Sequence, residues 1–219
     1  MRIVGGKYGG RDLLSPSDFR VRPTAELVRA AMLDMIAGDL KNASIIEFFA
    51  GTGAIGLEAI SRGAHRCDFI ETRPSSLHAL KANVVLLRMK NRTRIFKKDA
   101  VPFAAQLNEG AYDIAFADPP YGSRMLDHVI TAWRERRFSP LLVVEHEKSH
   151  KLPKGTESRT LDDTTITIYR QVVTPAAAKP SAAKPSAAKS HAAKSHAAES
   201  HASAAAPAPE TALPVSDPE

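Results

Sequence analysis

The sequence has few of the features that mark secreted or membrane proteins. Its one cysteine, Cys67, cannot form a disulfide within the chain. No run of apolar residues approaches the roughly 18 needed to cross a bilayer, and the first residues, Met-Arg-Ile-Val-Gly-Gly, lack the apolar stretch of a signal peptide. These absences exclude a disulfide-stapled secreted domain and argue against a membrane protein, so we expect a cytoplasmic protein.

Large apolar side chains are also scarce after residue 173. The segment 174–219 is built almost wholly from Ala, Pro, Lys, Ser and His, and it repeats AAKPS, AAKSH and AAESH with a period of five. Such a segment cannot bury enough surface to offset chain entropy, so we predict a disordered tail. Its histidines, His191, His196 and His201, make a weak metal site at that spacing without cysteine, and no metal is expected.

The charge is positive and unevenly distributed. The 219 residues carry 30 Lys and Arg against 24 Asp and Glu, a formal net charge of +6. The tail contributes equally many charges of each sign, so the excess lies in the part expected to fold. Two interpretations stay open, a polyanionic partner such as RNA and plain solubility.

A small basic module precedes the expected catalytic domain. Short apolar stretches around glycine pairs predict a β-hairpin extension over residues 1–24 that carries Arg2, Lys7 and Arg11. Arg20 and Arg22 follow beside a proline, before a helix predicted at 25–36. These five basic residues are candidate RNA contacts, and the alternative is an ordinary solvated face.

From residue 44 to 171, apolar strands alternate with helical patterns. We predict strands at 44–48, 67–71, 94–98, 113–118, 141–146, 157–161 and 164–171, with helices at 53–62, 74–89, 101–107 and 125–136. Such alternation favours an α/β fold in one domain, residues 25–173, with a seven-stranded, mostly parallel, Rossmann-like sheet. The site of such a sheet lies at the carboxyl ends of its strands.

A glycine loop follows the first of these strands. Gly51, Gly53 and Gly56 have the spacing G-x-G-x-x-G and open a helix, which lifts the match above chance. The first two glycines allow a tight turn close to a ligand, and the third lets helix and sheet pack closely. A nicotinamide dehydrogenase would use the same loop, so the motif alone leaves the cofactor open.

Three carboxylates at strand ends favour a positively charged cofactor. Glu47 precedes the loop and is suited to an ammonium group, Glu71 to ribose hydroxyls, and Asp99 with Ala100 to an adenine amine. S-adenosylmethionine carries both an ammonium and a sulfonium, whereas capping of neighbouring helices is the structural alternative for the acids. The predicted cofactor residues are Glu47, Ala50, Gly51, Thr52, Gly53, Gly56, Glu71, Asp99, Ala100 and Asp118.

The sequence Asp118-Pro119-Pro120-Tyr121 follows the fourth predicted strand. An exocyclic amine on a base is a poor nucleophile because its lone pair is delocalised into the ring. Hydrogen bonds from that amine to the Asp118 carboxylate and the Pro119 carbonyl would localise the lone pair, while Tyr121 stacks on the flipped base. The two prolines fix the direction of the carbonyl. These four residues are the predicted catalytic residues of an amino-methyltransferase.

The chain resembles the RsmD-type bacterial 16S ribosomal RNA guanine-N2 methyltransferases from residue 1 to about residue 170. The similarity is carried by the early Gly-Gly-Lys-Tyr-Gly-Gly-Arg, by Arg-Pro-Thr at 22–24, by the glycine loop, by Asp118 to Tyr121, and by Val-Val-Glu-His at 143–146. It implies a class I S-adenosylmethionine-dependent fold and methylation of one guanine 2-amino group. It also implies that the substrate is 16S rRNA within an assembling small subunit, held in part by the N-terminal hairpin.

The main alternative is a DNA adenine-N6 or cytosine-N4 methyltransferase, since those enzymes use a similar proline-proline-aromatic motif. It is less favoured because no second domain that would read a DNA groove follows the core. A small-molecule or protein methyltransferase fits the basic module poorly, and a noncatalytic RNA-binding domain would not be expected to keep Asp118 and its neighbours. We expect a monomer.

Overall fold

The computed structural model describes residues 1–16 and 26–171. The predictions for Arg20 and Arg22 and for the tail at 174–219 lie outside these ranges. Within the described ranges, no helix combines the length and the apolar character that a membrane span requires.

A seven-stranded sheet forms the centre of the protein. Its strands are β1 (Ser44–Phe48), β2 (Arg66–Ile70), β3 (Thr93–Phe96), β4 (Ile114–Ala117), β5 (Leu141–Glu147), β6 (Glu157–Leu161) and β7 (Thr164–Arg170). Their order is β3-β2-β1-β4-β5-β7-β6, with parallel pairing from β3 to β5 and antiparallel pairing of β7 with β5 and β6. The order reverses between β1 and β4, and ligands of such sheets bind at this point.

Within residues 1–16 and 26–171, five α-helices cover the sheet: α1 (Glu26–Met35), α2 (Ala54–Ser61), α3 (Pro74–Leu86), α4 (Ala100–Ala104) and α5 (Met125–Arg136). Strand side chains alternate between the two faces. Ile45, Phe69 and Phe116 join the core under α1, α2 and α3, whereas Ile46 and Ala117 join the core under α4 and α5. Both faces are therefore buried, which explains the nearly continuous apolar strands.

The predicted elements match these bounds closely, and β1, β6 and α5 have the predicted ends. The largest differences are at the ends of α3 and α4, which stop three residues early. In α3 the chain turns after Leu86 because Arg88 adopts a positive φ of 56°, which a helix cannot contain.

The N-terminal hairpin is reduced to one bridge. Arg2 and Asp12 pair antiparallel, supported by hydrogen bonds from Ile3 N to Arg11 O (2.9 Å) and from Leu13 N to Met1 O (2.7 Å). Glycine-rich turns interrupt the ladder before two full strands can form. At Gly6, φ is 79° and an added Cβ would collide with the Ser61 carbonyl of α2, so glycine lets the turn sit against this helix.

An ionic network holds this segment, α1 and α2 together. Arg29 on α1 donates from Nε to Glu58 Oε2 on α2 (2.8 Å), and both side chains are fully buried. Glu58 Oε2 also accepts from the Val4 backbone (3.1 Å), and Glu58 Oε1 accepts from Arg62 Nη2 (2.8 Å). Arg29 in addition donates to the Arg2 carbonyl. Both oxygens of the buried Glu58 carboxylate thus accept hydrogen bonds, as burial of a charge requires.

Candidate active site

A cleft of about 590 Å³ opens at the carboxyl ends of the strands. We call its two sides the glycine-loop half and the Asp118 half. The glycine-loop half is built by residues at the ends of β1, β2 and β3 and in the segments that follow these strands. The Asp118 half is built by residues that follow β4, by one residue of β5, and by residues at and beside the turn between β6 and β7. Leu27 and Val28 of α1 also line the cleft. Its volume is within the usual range for small-molecule and cofactor sites.

The glycine loop has the tight backbone that the sequence predicts. Gly51 and Gly53 have φ of 55° and 76°, and Gly53 N donates to Ala50 O (2.7 Å). Ala50, Gly51 and Thr52 line the cleft. The loop therefore places its own backbone along one wall.

Gly53 and Gly56 are not among the residues that line the cleft, and their assignment to the cofactor-binding residues stays a prediction. A Cβ on Gly53 would collide with the Leu80 side chain of α3. A Cβ on Gly56 would lie 2.5 Å from Cys67 Sγ, 2.6 Å from Glu47 Oε2 and 2.7 Å from Phe69 Cε1. These glycines are needed for packing of α2 and α3 against the sheet, and for Gly56 this agrees with the packing role predicted for the third glycine.

Glu47 lies at the bottom of the glycine-loop half and is 3% exposed. Its Oε2 accepts from Gly56 N (2.8 Å). Burial raises the pKa of the Glu47 carboxyl from 4.5 to about 8, while the Gly56 hydrogen bond opposes this and the Asp118 charge adds to it. Burial therefore favours the protonated form of the Glu47 carboxyl, which the sequence did not predict.

Glu71 is tied to the backbone on both oxygens. Oε2 accepts from Gly51 N (2.7 Å), and Oε1 accepts from Thr72 N and Arg73 N (2.7 Å each). A carboxylate has about four lone-pair sites, so little capacity is left for a ligand. Glu71 thus fixes the glycine loop as well as lining the cleft, and the predicted contact with two ribose hydroxyls would have to share its oxygens with these N–H groups.

Asp99 and Ala100 line the cleft beyond β3. Asp99 is the N-cap of α4, and its Oδ1 accepts from Val101 N (3.1 Å). Asp99 therefore caps a helix, as the alternative interpretation predicts. It can cap the helix and still contact a ligand in the cleft, because a cap uses only one of the two carboxylate oxygens.

Asp118, Pro119, Pro120 and Tyr121 line the Asp118 half together. The Tyr121 hydroxyl lies 2.8 Å from Thr164 Oγ1 and 3.3 Å from Glu145 Oε1. These contacts connect Tyr121, in the loop after β4, with both β5 and β7, so the ring has a defined position in the wall of the cleft.

Several lining residues were not predicted as site residues. Glu145, Met125, Thr164 and the turn residues Asp162 and Asp163 line the Asp118 half. Glu145 belongs to the Val-Val-Glu-His segment that resembles the family, which was the available signal, but its role could not be read without the neighbouring strands.

The three described candidate RNA contacts, Arg2, Lys7 and Arg11, are exposed. Arg2 donates from Nε to Glu26 (3.3 Å), and Lys7 N donates to Ser61 O (2.8 Å) at the end of α2 remote from the glycine loop. None of the three lines the cleft, and their contact with RNA stays a prediction. For the described part of the chain, no group of three His, Cys, Asp or Glu residues is arranged to hold a metal ion.

Comparison with known proteins identifies the family. The profile described as Conserved hypothetical protein 95 matches residues 1–170. Ribosomal RNA small subunit methyltransferase D of Escherichia coli (strain K12) is 33% identical over 156 residues, 70% of this chain and 78% of the relative. The chain belongs to the ribosomal RNA small subunit methyltransferase D family. This confirms the resemblance predicted from the motifs and the prediction of a methyltransferase.

Solved structures agree with the fold of this methyltransferase D family member. The yhhF protein of Escherichia coli superposes with a TM-score of 0.69 at 28% identity, covering 78% of this chain and 97% of that chain. An RNA methyltransferase of Salinibacter ruber, solved with S-adenosyl-L-homocysteine, has a TM-score of 0.55 at 15% identity, covering 68% and 93%. The second likeness concerns the fold alone, and the predicted class I methyltransferase fold is confirmed.

Proposed function

We propose that this protein transfers a methyl group from S-adenosylmethionine to the exocyclic N2 amine of a guanine in 16S rRNA. The main observation behind the proposal is the cleft itself. In it, Asp118 to Tyr121 lie opposite a glycine loop, at the point where the strand order reverses between β1 and β4. The family relative from Escherichia coli is named for methylation of small-subunit rRNA.

The glycine-loop half fits S-adenosylmethionine by its donor set. Glu47, Glu71 and Asp99 supply carboxyl groups, and Phe49 and Ile70 supply apolar surface for an adenine ring. When bound, the cofactor supplies an electrophilic methyl group. A positively charged ligand beside Glu47 favours the ionised carboxyl, which the buried site alone disfavours.

The residues of the Asp118 half would prepare the amine. The Asp118 carboxylate and the Pro119 carbonyl accept its two N–H bonds, which draws the nitrogen toward a tetrahedral geometry and localises its lone pair. Tyr121, held by Thr164 and Glu145, offers an aromatic face to a base turned out of its helix. The Asp118 carboxylate would also take the proton that leaves the nitrogen.

The DNA amino-methyltransferase alternative is less favoured, since the named methyltransferase D relatives act on ribosomal RNA. We further propose that the substrate is presented within an assembling small subunit, where the basic N-terminal segment holds flanking RNA, and that the enzyme acts as a cytoplasmic monomer. The excess of Lys and Arg supports a polyanionic partner.

The test is a methyl-transfer assay with labelled S-adenosylmethionine and small ribosomal subunits from a strain that lacks the enzyme. We expect N2-methylguanosine in the 16S rRNA after nucleoside analysis. Protein-free 16S rRNA is the control for the subunit requirement. Transfer to DNA, with none to rRNA, would overturn the substrate while leaving the chemistry intact.

A further inference from the structure

Two carboxylates lie side by side at the Asp118 half of the cleft. Strands β4 and β5 are parallel neighbours, and Ala117 pairs with Val144. Asp118 follows Ala117, and Glu145 follows Val144, so the register of the two strands places these two residues next to each other. Both line the cleft, and Glu145 is 4% exposed.

The described residues in the wall around this pair carry charge of one sign. Among the described lining residues, the Asp118 half contributes Asp118, Glu145, Asp162 and Asp163 but no Lys or Arg, whereas Arg73 and Lys98 belong to the glycine-loop half. This half can therefore accept hydrogen bonds from a base far better than it can donate them.

The three bases that carry an exocyclic amine differ in the ring nitrogens beside that amine. The 2-amino group of guanine lies between N1, which carries an N–H donor, and N3, which carries a lone pair. Adenine at N1 and cytosine at N3 have a lone pair beside theirs. A second carboxylate next to the one that holds the amine can bond to guanine, while it would face a lone pair on adenine or cytosine and repel it.

The Tyr121 hydroxyl places Glu145 relative to a stacked base. Tyr121 OH lies 3.3 Å from Glu145 Oε1 and 2.8 Å from Thr164 Oγ1. The aromatic face and the Glu145 carboxylate are thus parts of one contact network, and a base stacked on Tyr121 with its amine at Asp118 reaches Glu145 with its N1 edge when that edge faces β5.

We propose that Glu145 determines the choice of guanine by accepting a hydrogen bond from its N1–H, beside the amine held by Asp118. The proposal rests on the proposed function and adds a specificity-determining residue to it. It explains from strand register why this site takes guanine rather than adenine or cytosine.

The test compares two bases that carry the same 2-amino group. Small subunits are reconstituted with ligated 16S rRNA that contains either guanine or 2-aminopurine at the nucleotide that the wild-type enzyme methylates. 2-Aminopurine has a lone pair in place of N1–H. We expect the wild-type enzyme to prefer guanine in kcat/KM by about tenfold or more, the value of one lost hydrogen bond to a charged group.

Glu145→Gln removes the charge but keeps the shape, and its amide can accept from N1–H or donate to a lone pair. We expect the preference for guanine to fall below about threefold in this variant. The ratio of the two kcat/KM values is independent of the fraction of folded enzyme. Glu145→Ala is the second variant and should lose the preference as well.

Two controls separate the alternatives. Thr164→Val removes the other contact of the Tyr121 hydroxyl, and it should lower kcat/KM for both bases with the preference kept. Glu147→Gln makes the same chemical change two residues farther along β5, outside the cleft lining, and should leave both values unchanged.

A wild-type enzyme that methylates both bases equally well would overturn the proposal. So would a Glu145→Gln enzyme that loses activity on both bases by the same factor, because Glu145 would then act only by holding Tyr121. Failure of the proposed function has a different signature, since the wild-type enzyme would then methylate neither kind of subunit.

Discussion

Arg29 and Glu58 form an ion pair of 2.8 Å in which neither side chain is exposed to solvent. It joins α1 to α2, and through the Arg2 carbonyl and the Val4 N–H it also holds the N-terminal segment. Because α1 supplies Leu27 and Val28 to the cleft, this pair connects the basic extension with the wall of the active site.

Removal of one partner of this pair should be strongly destabilising. Arg29→Ala would leave the Glu58 carboxylate buried with fewer donors, at a cost of about 3–5 kcal/mol in the free energy of unfolding, measured by urea denaturation. Arg170→Ala is the control, because Arg170 and its partner Asp39 are both partly exposed and the loss should stay below about 1 kcal/mol. Equal losses in the two variants would show that burial does not increase the contribution of the Arg29 pair to the free energy of unfolding.

Asp118→Asn should abolish most turnover and keep cofactor binding. The amide cannot accept both an N–H bond and the departing proton as a carboxylate does, so we expect kcat to fall at least about 100-fold. Binding of S-adenosylmethionine, measured by calorimetry, should change little. Asp113→Asn is the matched control at the opposite end of β4, where Asp113 accepts from Ser44 N (2.8 Å). Turnover near the wild-type value in Asp118→Asn would contradict the catalytic role.

Glu71→Gln should weaken cofactor binding more than it lowers kcat. The substituted amide replaces one acceptor of the backbone N–H groups of Gly51, Thr72 and Arg73 with a donor, so the glycine loop loses its anchor. We expect a rise of about tenfold or more in the Kd for S-adenosylmethionine, measured by calorimetry. An unchanged Kd would mean that neither the loop nor the ribose depends on Glu71.

The raised pKa of Glu47 predicts a pH dependence of stability. The folded protein keeps the Glu47 proton up to about pH 8, whereas the unfolded chain releases it near 4.5. Between these values the folded state binds more protons, so the contribution of Glu47 to stability is full below pH 4.5 and is lost as the pH rises toward 8. Glu47→Gln, which stays neutral, should gain in melting temperature relative to wild type across this window. A constant difference from pH 4 to 9 would refute the raised pKa.

Cofactor binding should release that proton. If the ammonium group of S-adenosylmethionine pairs with Glu47, the carboxyl must ionise on binding. Calorimetry at pH 7 in buffers of different ionisation enthalpy should then report close to one proton released per cofactor in the wild type. Glu47→Gln should release none, and equal release from both proteins would place the proton elsewhere.

Deletion of residues 174–219 should leave the melting temperature within about 2 °C of the full chain. The tail has almost no large apolar side chains with which to stabilise a folded domain. Thermal unfolding followed by circular dichroism measures this. A much larger decrease would mean that the tail packs on the domain.

The sequence predicted most of the fold because its signals are local. Apolar runs marked the strands, and the glycine loop and Asp118 to Tyr121 each follow a strand directly, so both were assigned to one edge of the sheet. The prediction of the N-terminal hairpin was less accurate, because glycine pairs indicate turns without specifying how long a ladder joins them.

Features that depend on contacts between distant segments could not be predicted. Arg29 and Glu58 look like ordinary polar positions on two helices, and only their packing shows that they are buried. The neighbouring positions of Asp118 and Glu145 follow from the register of two strands, which no local pattern contains. The protonation of Glu47 likewise depends on burial beneath a helix formed by later residues.

The close contact between Gly56 and the sheet gives the protein a built-in reporter. Cys67 lies directly beneath Gly56, is fully buried, and its thiol pKa is raised by that burial, so alkylating reagents cannot reach a reactive thiolate in the native state. The sequence has no other cysteine. The rate of thiol labelling therefore reports how often α2 separates from β2, and no cysteine has to be introduced for the measurement. The same labelling reaction, repeated at increasing cofactor concentration, would measure how much cofactor binding slows the separation of α2 from β2.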